Sequence, residues 1–155
     1  MGCTFLGTNC SQTWADFQMW EKLLNAHPEL RSIVELGSGE AGFSAYLAIQ
    51  AKARGLKFAT FDKVRMDGHK QPGFELLDVF EEPERVVARL YSPAVLFCDN
   101  GDKPREVATF APLLQPGDLL VVHDFGTEFW PRHIPDTLKR IHREWWRTSA
   151  ILERT

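Results

Sequence analysis

The rhythm of apolar and polar positions changes repeatedly along this chain. Residues 13–26, TWADFQMWEKLLNA, put Trp14, Phe17, Trp20 and Leu24 on one stripe at helical spacing, which predicts an amphipathic helix. Thr13 can cap it, and Asp16 three residues on makes a weak form of the capping box. Pro28 disfavours helical geometry at His27 and ends the helix. Short apolar runs then alternate with helical patterns. SIVEL (32–36), LKFATFD (56–62), FELLD (74–78), AVLFCD (94–99) and LLVVH (119–123) predict strands. Residues 42–53 and 81–91 predict helices between them, and Asp102 and Pro104 open another that runs through Leu114. The tail DTLKRIHREWW (136–146) predicts a helix, and TSAILE (148–153) a last short strand. Strands that are apolar on both faces and separated by helices imply a mostly parallel sheet with helices on both sides. The predicted class is therefore α/β, a Rossmann-like doubly wound three-layer domain over residues 1–155, with residues 1–30 as an N-terminal helical segment and a shortened C-terminus.

Composition narrows the partners. The chain has 155 residues, 44% hydrophobic and 25% charged, within the range of a single globular domain. A formal net charge of -3 offers no general attraction to nucleic acid or anionic membrane. No apolar run approaches the roughly 20 residues of a membrane span, and the N-terminus lacks a signal-peptide pattern. Cys3, Cys10 and Cys98 are odd in number and show no C-x-x-C spacing, so a cytoplasmic protein with reduced thiols is expected.

In a sheet of this kind, ligands bind beyond the carboxyl ends of the strands. Here those ends carry ELGSGEAG, Asp62, Asp78, CDNGD and HDFG, acidic residues on strand after strand. Gly37, Gly39 and Gly42 form G-x-G-x-x-G, and Asp62 follows about 20 residues later, where a carboxylate can accept from ribose hydroxyls. The spacing alone fits a nicotinamide dinucleotide. Glu35, two residues before the first glycine, would repel a pyrophosphate and suits a cationic ligand such as S-adenosylmethionine. Its alternative role is to cap the glycine-loop amides, because an unpartnered buried charge is costly.

VELGSGEAG resembles the first motif of the class I S-adenosylmethionine-dependent methyltransferases. FLGTNCSQTWADFQMWEKLL with IVELGSGEAGFSAYLA, and LFCDNGDKPREVATFAPLLQPGDLLVVHDF, are similar to the small-molecule O-methyltransferases of the cephalosporin hydroxylase and rhamnosyl O-methyltransferase group. The resemblance spans roughly residues 4–128. It implies that Glu35, Gly37, Ser38 and Gly39 hold the methionine part. It places Asp62 with Lys63 at the ribose, Asp78 and Val79 beside the adenine, and Asp99 facing the sulfonium. It also implies a magnesium ion held by an acid after the fourth strand and two polar residues after the fifth: here Asp99, His123 and Asp124. Histidine departs from that pattern, because imidazole suits manganese, iron or zinc better than magnesium. Either the metal differs or His123 is the general base and no metal is needed. A plain hydrogen-bonded strand cap is the remaining alternative for His123–Asp124. Glu128 is a further ligand or a solvated loop charge.

The expected activity is methylation of a hydroxyl on a small molecule. A non-catalytic binder of the same cofactor and a nicotinamide-dependent oxidoreductase are the alternatives. Trp130, Trp145 and Trp146, interleaved with Arg132, Lys139, Arg140, Arg143 and Arg147, form either the charged face of an amphipathic helix or a surface for an anionic substrate or single strand. The family sheet closes with an antiparallel hairpin, and the short tail has room for one strand. An open edge would favour a homodimer.

Overall fold

The computed structural model describes residues 3–67, 69–142 and 148–155. An antiparallel hairpin, β1 (Cys3–Phe5) and β2 (Thr8–Cys10), leads into helix α1 (Trp14–Ala26). Strand β3 (Ser32–Leu36), helix α2 (Gly42–Arg54), β4 (Lys57–Asp62), β5 (Phe74–Leu76), α3 (Pro83–Val87), β6 (Ala94–Cys98), α4 (Lys103–Phe110) and β7 (Leu119–Val122) follow. The chain ends in β8 (Leu138–Ile141) and β9 (Ala150–Arg154).

Seven of these strands form one sheet in the order β5-β4-β3-β6-β7-β9-β8. The first five are parallel; β9 runs antiparallel to both β7 and β8. The chain winds outward from β3 to β5 and restarts beside β3 with β6, which makes the β3–β6 boundary the switch point of the sheet.

Side chains alternate across the sheet, as strand geometry requires. Ile33, Val95, Phe97, Val121 and Ile151 pack against Phe17, Trp20 and Leu23 of α1 and Phe43 and Leu47 of α2. Val34, Leu36, Leu96, Cys98, Leu120 and Val122 pack against Val86 of α3 and Val107 and Phe110 of α4. The two apolar faces explain why β3, β6 and β7 read as unbroken hydrophobic runs.

The predicted doubly wound sheet is observed, with a correction at its end. The stretch expected to be helical supplies β8 instead, and β9 sits between it and β7. The connection from β7 to β8 holds only the single 3-10 turn Pro131–His133. The hairpin is complete, so the argument for edge pairing in a homodimer falls away. Arg143, Trp145, Trp146 and Arg147 lie outside the described residues. The helix expected over 81–91 is limited to Pro83–Val87.

Candidate functional site

A crevice of about 480 Å³ opens over the carboxyl ends of β3, β4, β6 and β7, a size suited to a small-molecule ligand. Of the site residues expected from the sequence, Gly37, Ser38, Gly39, Asp62, Asp99, His123 and Asp124 line it. A larger depression, about 730 Å³, lies between the first hairpin, α2 and the opposite end of β4. Its lining combines Ala45, Ala48, Ile49 and Phe58 with Lys52, Lys57 and Lys70 and holds no acid.

The glycine loop is shaped by steric need. Gly37 adopts φ +89, and a Cβ there would stand 2.4 Å from the Asp99 carbonyl oxygen. Only glycine lets this loop lie against the end of β6. Gly39, at φ +51, has open space where a Cβ would be, so a ligand can approach its backbone. A Cβ on Gly42 would stand 2.2 Å from the Asn9 carbonyl oxygen, because β2 packs directly against the start of α2. That packing brings Asn9, Cys10, Ser11 and Gln12 to the crevice wall.

Asp62 accepts from the Gly39 amide (2.9 Å) and the Val64 amide (3.0 Å). It therefore braces the loop and still lines the crevice, because each carboxylate oxygen can accept a second bond. Glu35 is the buried carboxyl at the end of the strand that the sequence suggested, but it stands back from the crevice. Thr60 Oγ1 donates to Glu35 Oε2 at 2.6 Å, and Ser38 Oγ lies 2.6 Å from that same hydroxyl. Glu35 thus reaches the loop through two hydroxyls. Burial pushes its carboxyl up to about 8. Lys63 is exposed and Val79 is buried among the core residues behind the sheet. Asp78 accepts from the Phe80 amide, and none of these three lines the crevice.

At the tips of β6 and β7 the acids converge. Asp124 adopts a left-handed φ of +56, which costs about 1 kcal/mol or more in a non-glycine residue. His123 Nδ1 lies 3.3 Å from Asp99 Oδ1 and 3.3 Å from Asp124 Oδ2. Its Nε2 faces Asp16 Oδ2 at 3.9 Å, an ion-pair distance rather than a hydrogen bond. Burial would lower the His123 pKa, but the facing carboxylates of Asp16, Asp99 and Asp124 outweigh it and raise the value to about 10. The facing carboxylates thus favour the protonated ring, which weighs against the general-base alternative for His123.

Three participants had not been anticipated. Asp16 is buried at the start of α1, where it accepts from the Thr13 amide and hydroxyl (both 2.8 Å) in the capping arrangement. Burial would raise its carboxyl; His123 and Thr13 outweigh that and hold it below the ordinary range. Gln12 Nε2 donates to Asp99 Oδ2. Lys103, only 4% exposed, sits with its Nζ 3.2 Å from Asp99 Oδ1, 3.1 Å from Asp124 Oδ2 and 3.0 Å from Glu128 Oε2. Burial would lower the ammonium's pKa, yet the three carboxylates raise it well above the ordinary lysine value. A lysine in the first turn of α4 opposes the helix dipole, which is the one local hint of its role. Beneath it, buried Glu106 accepts from the amides of Asn100 and Asp102 and so fixes the loop after β6.

Ligand atoms of Asp99, His123 and Asp124 all lie within 4.8 Å of one another, close enough to reach one ion. The same donors already face two side-chain cations. Asp99 Oδ1 and Asp124 Oδ2 are both turned to the Lys103 ammonium and the His123 ring, and Asp99 Oδ2 is turned to Gln12.

No helix is long and apolar enough to cross a membrane among the described residues. No model of a known protein family matches the chain, and no curated protein matches it. Solved structures do. CmcI with SAH aligns at 17% identity and TM-score 0.72 over 98% of this chain and 81% of that one. CmcI with Mg-SAM aligns at 17% and 0.71, over 99% and 76%. A putative caffeoyl-CoA O-methyltransferase from Staphylococcus aureus aligns at 14% and 0.53, over 73% and 58%. The chain has the Rossmann-like fold of these proteins.

Proposed function

We propose that this protein is an S-adenosylmethionine-dependent methyltransferase acting on a hydroxyl of a small molecule. The observation that carries the reading is the crevice at the switch point, where a glycine loop open to a ligand stands beside Asp62 on one side and the Asp99–His123–Asp124 cluster on the other. The likeness in fold to CmcI, solved with SAH and with Mg-SAM, supports it. When bound, the cofactor supplies an electrophilic methyl group on a sulfonium.

In this reading Gly37, Ser38 and Gly39 cradle the cofactor's methionine end, and Asp62 takes the ribose hydroxyls. Methyl transfer from the bound cofactor to the acceptor hydroxyl would break the carbon–sulfur bond and release the hydroxyl proton. The carboxylates at the strand tips would take that proton. Asp124 is the more exposed of the two that line the crevice, and it is the proposed acceptor. His123 steadies that carboxylate from the adjacent position. The odd number of cysteines, without C-x-x-C spacing, supports a reducing, cytoplasmic setting.

Calorimetric titration of S-adenosylhomocysteine tests the cofactor, with Asp62→Ala as control. Micromolar binding that weakens at least tenfold in the control is expected. If nothing binds, the glycine loop is only a turn and the reading fails.

A further inference from the structure

The centre of the acidic cluster holds a protein cation. Lys103 Nζ stands between Asp99, Asp124 and Glu128 at 3.0–3.2 Å, almost wholly out of solvent. Two of those carboxylates, Asp99 and Asp124, belong with His123 to the group whose ligand atoms lie within 4.8 Å of one another, the group a metal ion bridging the tips of β6 and β7 would need. A divalent ion there would lie a few ångströms from the ammonium. Like charges that close repel strongly where water is scarce. Displacing the lysine would also strip a buried charge of three partners at once, a loss that desolvation makes severe.

We infer that Lys103 is the resident cation of this site, that it fills the place of a divalent metal, and that the protein works without one. The inference rests on the methyl-transfer reading for its catalytic part: the fixed positive charge lies 3.1 Å from the Asp124 carboxylate proposed to take the proton, and would favour negative charge on an acceptor oxygen held there. The metal-excluding part rests on the cluster alone. Glu128 then anchors the lysine from the loop after β7, which gives that residue a role other than ligand or free surface charge.

Manganese titration followed by electron paramagnetic resonance tests it, on the full chain and on Lys103→Met. The native protein is expected to leave the manganese signal free up to millimolar concentration. Lys103→Met opens the carboxylates and should bind one ion at least tenfold more tightly, and Lys103→Met with Asp124→Asn should lose that site. Micromolar binding by the native protein would overturn the inference. So would a folded Lys103→Met that gains no affinity. Should that variant not fold, the native titration still decides. Addition of S-adenosylhomocysteine to the same samples separates the two readings, because failure of the nucleoside to bind removes the methyltransferase and leaves the manganese result standing.

Discussion

Asp16 shows how one residue can serve two levels of structure. Its carboxylate completes the cap of α1 through Thr13 and, across 3.9 Å, holds the charge of His123. Asp16→Asn keeps the size and one acceptor while removing the charge. The pKa of His123, raised to about 10 in the native protein, should then fall by roughly a unit or more. Proton NMR of the imidazole across pH reads this directly, and an unchanged titration would mean that Asp99 and Asp124 hold the ring alone. Gly37→Ala probes the other side of the crevice. A methyl group 2.4 Å from the Asp99 carbonyl, at a positive φ, should destabilise by about 2 kcal/mol or more. Urea unfolding checks it, and a loss under ~0.5 kcal/mol would show that β6 gives way freely. At this scale the sequence disclosed the acids at the strand tips and the glycines, because both sit next to recognisable strands. It could not disclose Gln12, Asp16 and Lys103. They come from α1, its leading loop and α4, and only tertiary packing aims them at one point.

Strands β3, β6 and β7 were legible because both of their faces are buried, and a run of apolar residues has few other uses. Strand β8 was not. In LKRI only Leu138 is buried, and an edge strand facing water on much of its length has the polarity of a helix surface. The hairpin of β1 and β2 was missed for a related reason: three residues per strand are too few to show a period. Glu35 is the exception inside β3, a carboxyl on the face that packs toward α1 and α2. Its folded pKa, about 8, lies above the ordinary 4.5, so the native state holds a proton that the unfolded chain releases. The resulting stabilisation is full below about 4.5 and is lost as pH rises through about 8. Glu35→Gln should therefore flatten the decline of thermal stability across that window. Melting curves taken at successive pH values decide the point, and a mutant profile parallel to the native one would mean that Glu35 does not drive the decline.

On the scale of the whole molecule, the crevice joins parts that the chain keeps far apart. The first hairpin, the glycine loop, β4, the loop after β6 and the tip of β7 all contribute to its wall. The outward winding from β3 and the restart at β6 open the crevice, Gln12 in the loop before α1 lines one edge of it, and Asp16 of α1 stands behind His123. A ligand that touches all of these segments binds only when the sheet is assembled, so its binding energy adds to the stability of the entire fold. At a nucleoside concentration of 100 times its dissociation constant, that gain is about 2.7 kcal/mol. For a chain of this length it should raise the melting temperature by roughly 5–10 °C. S-adenosylhomocysteine is expected to produce such a shift in a thermal melt, with Asp62→Ala showing little of it. A chelator in the buffer should leave the shift unchanged, because the charge at the strand tips is supplied by Lys103. A shift abolished by chelation would mean that the nucleoside site depends on a metal after all. No shift at saturating nucleoside would mean that the assembled crevice serves a different ligand.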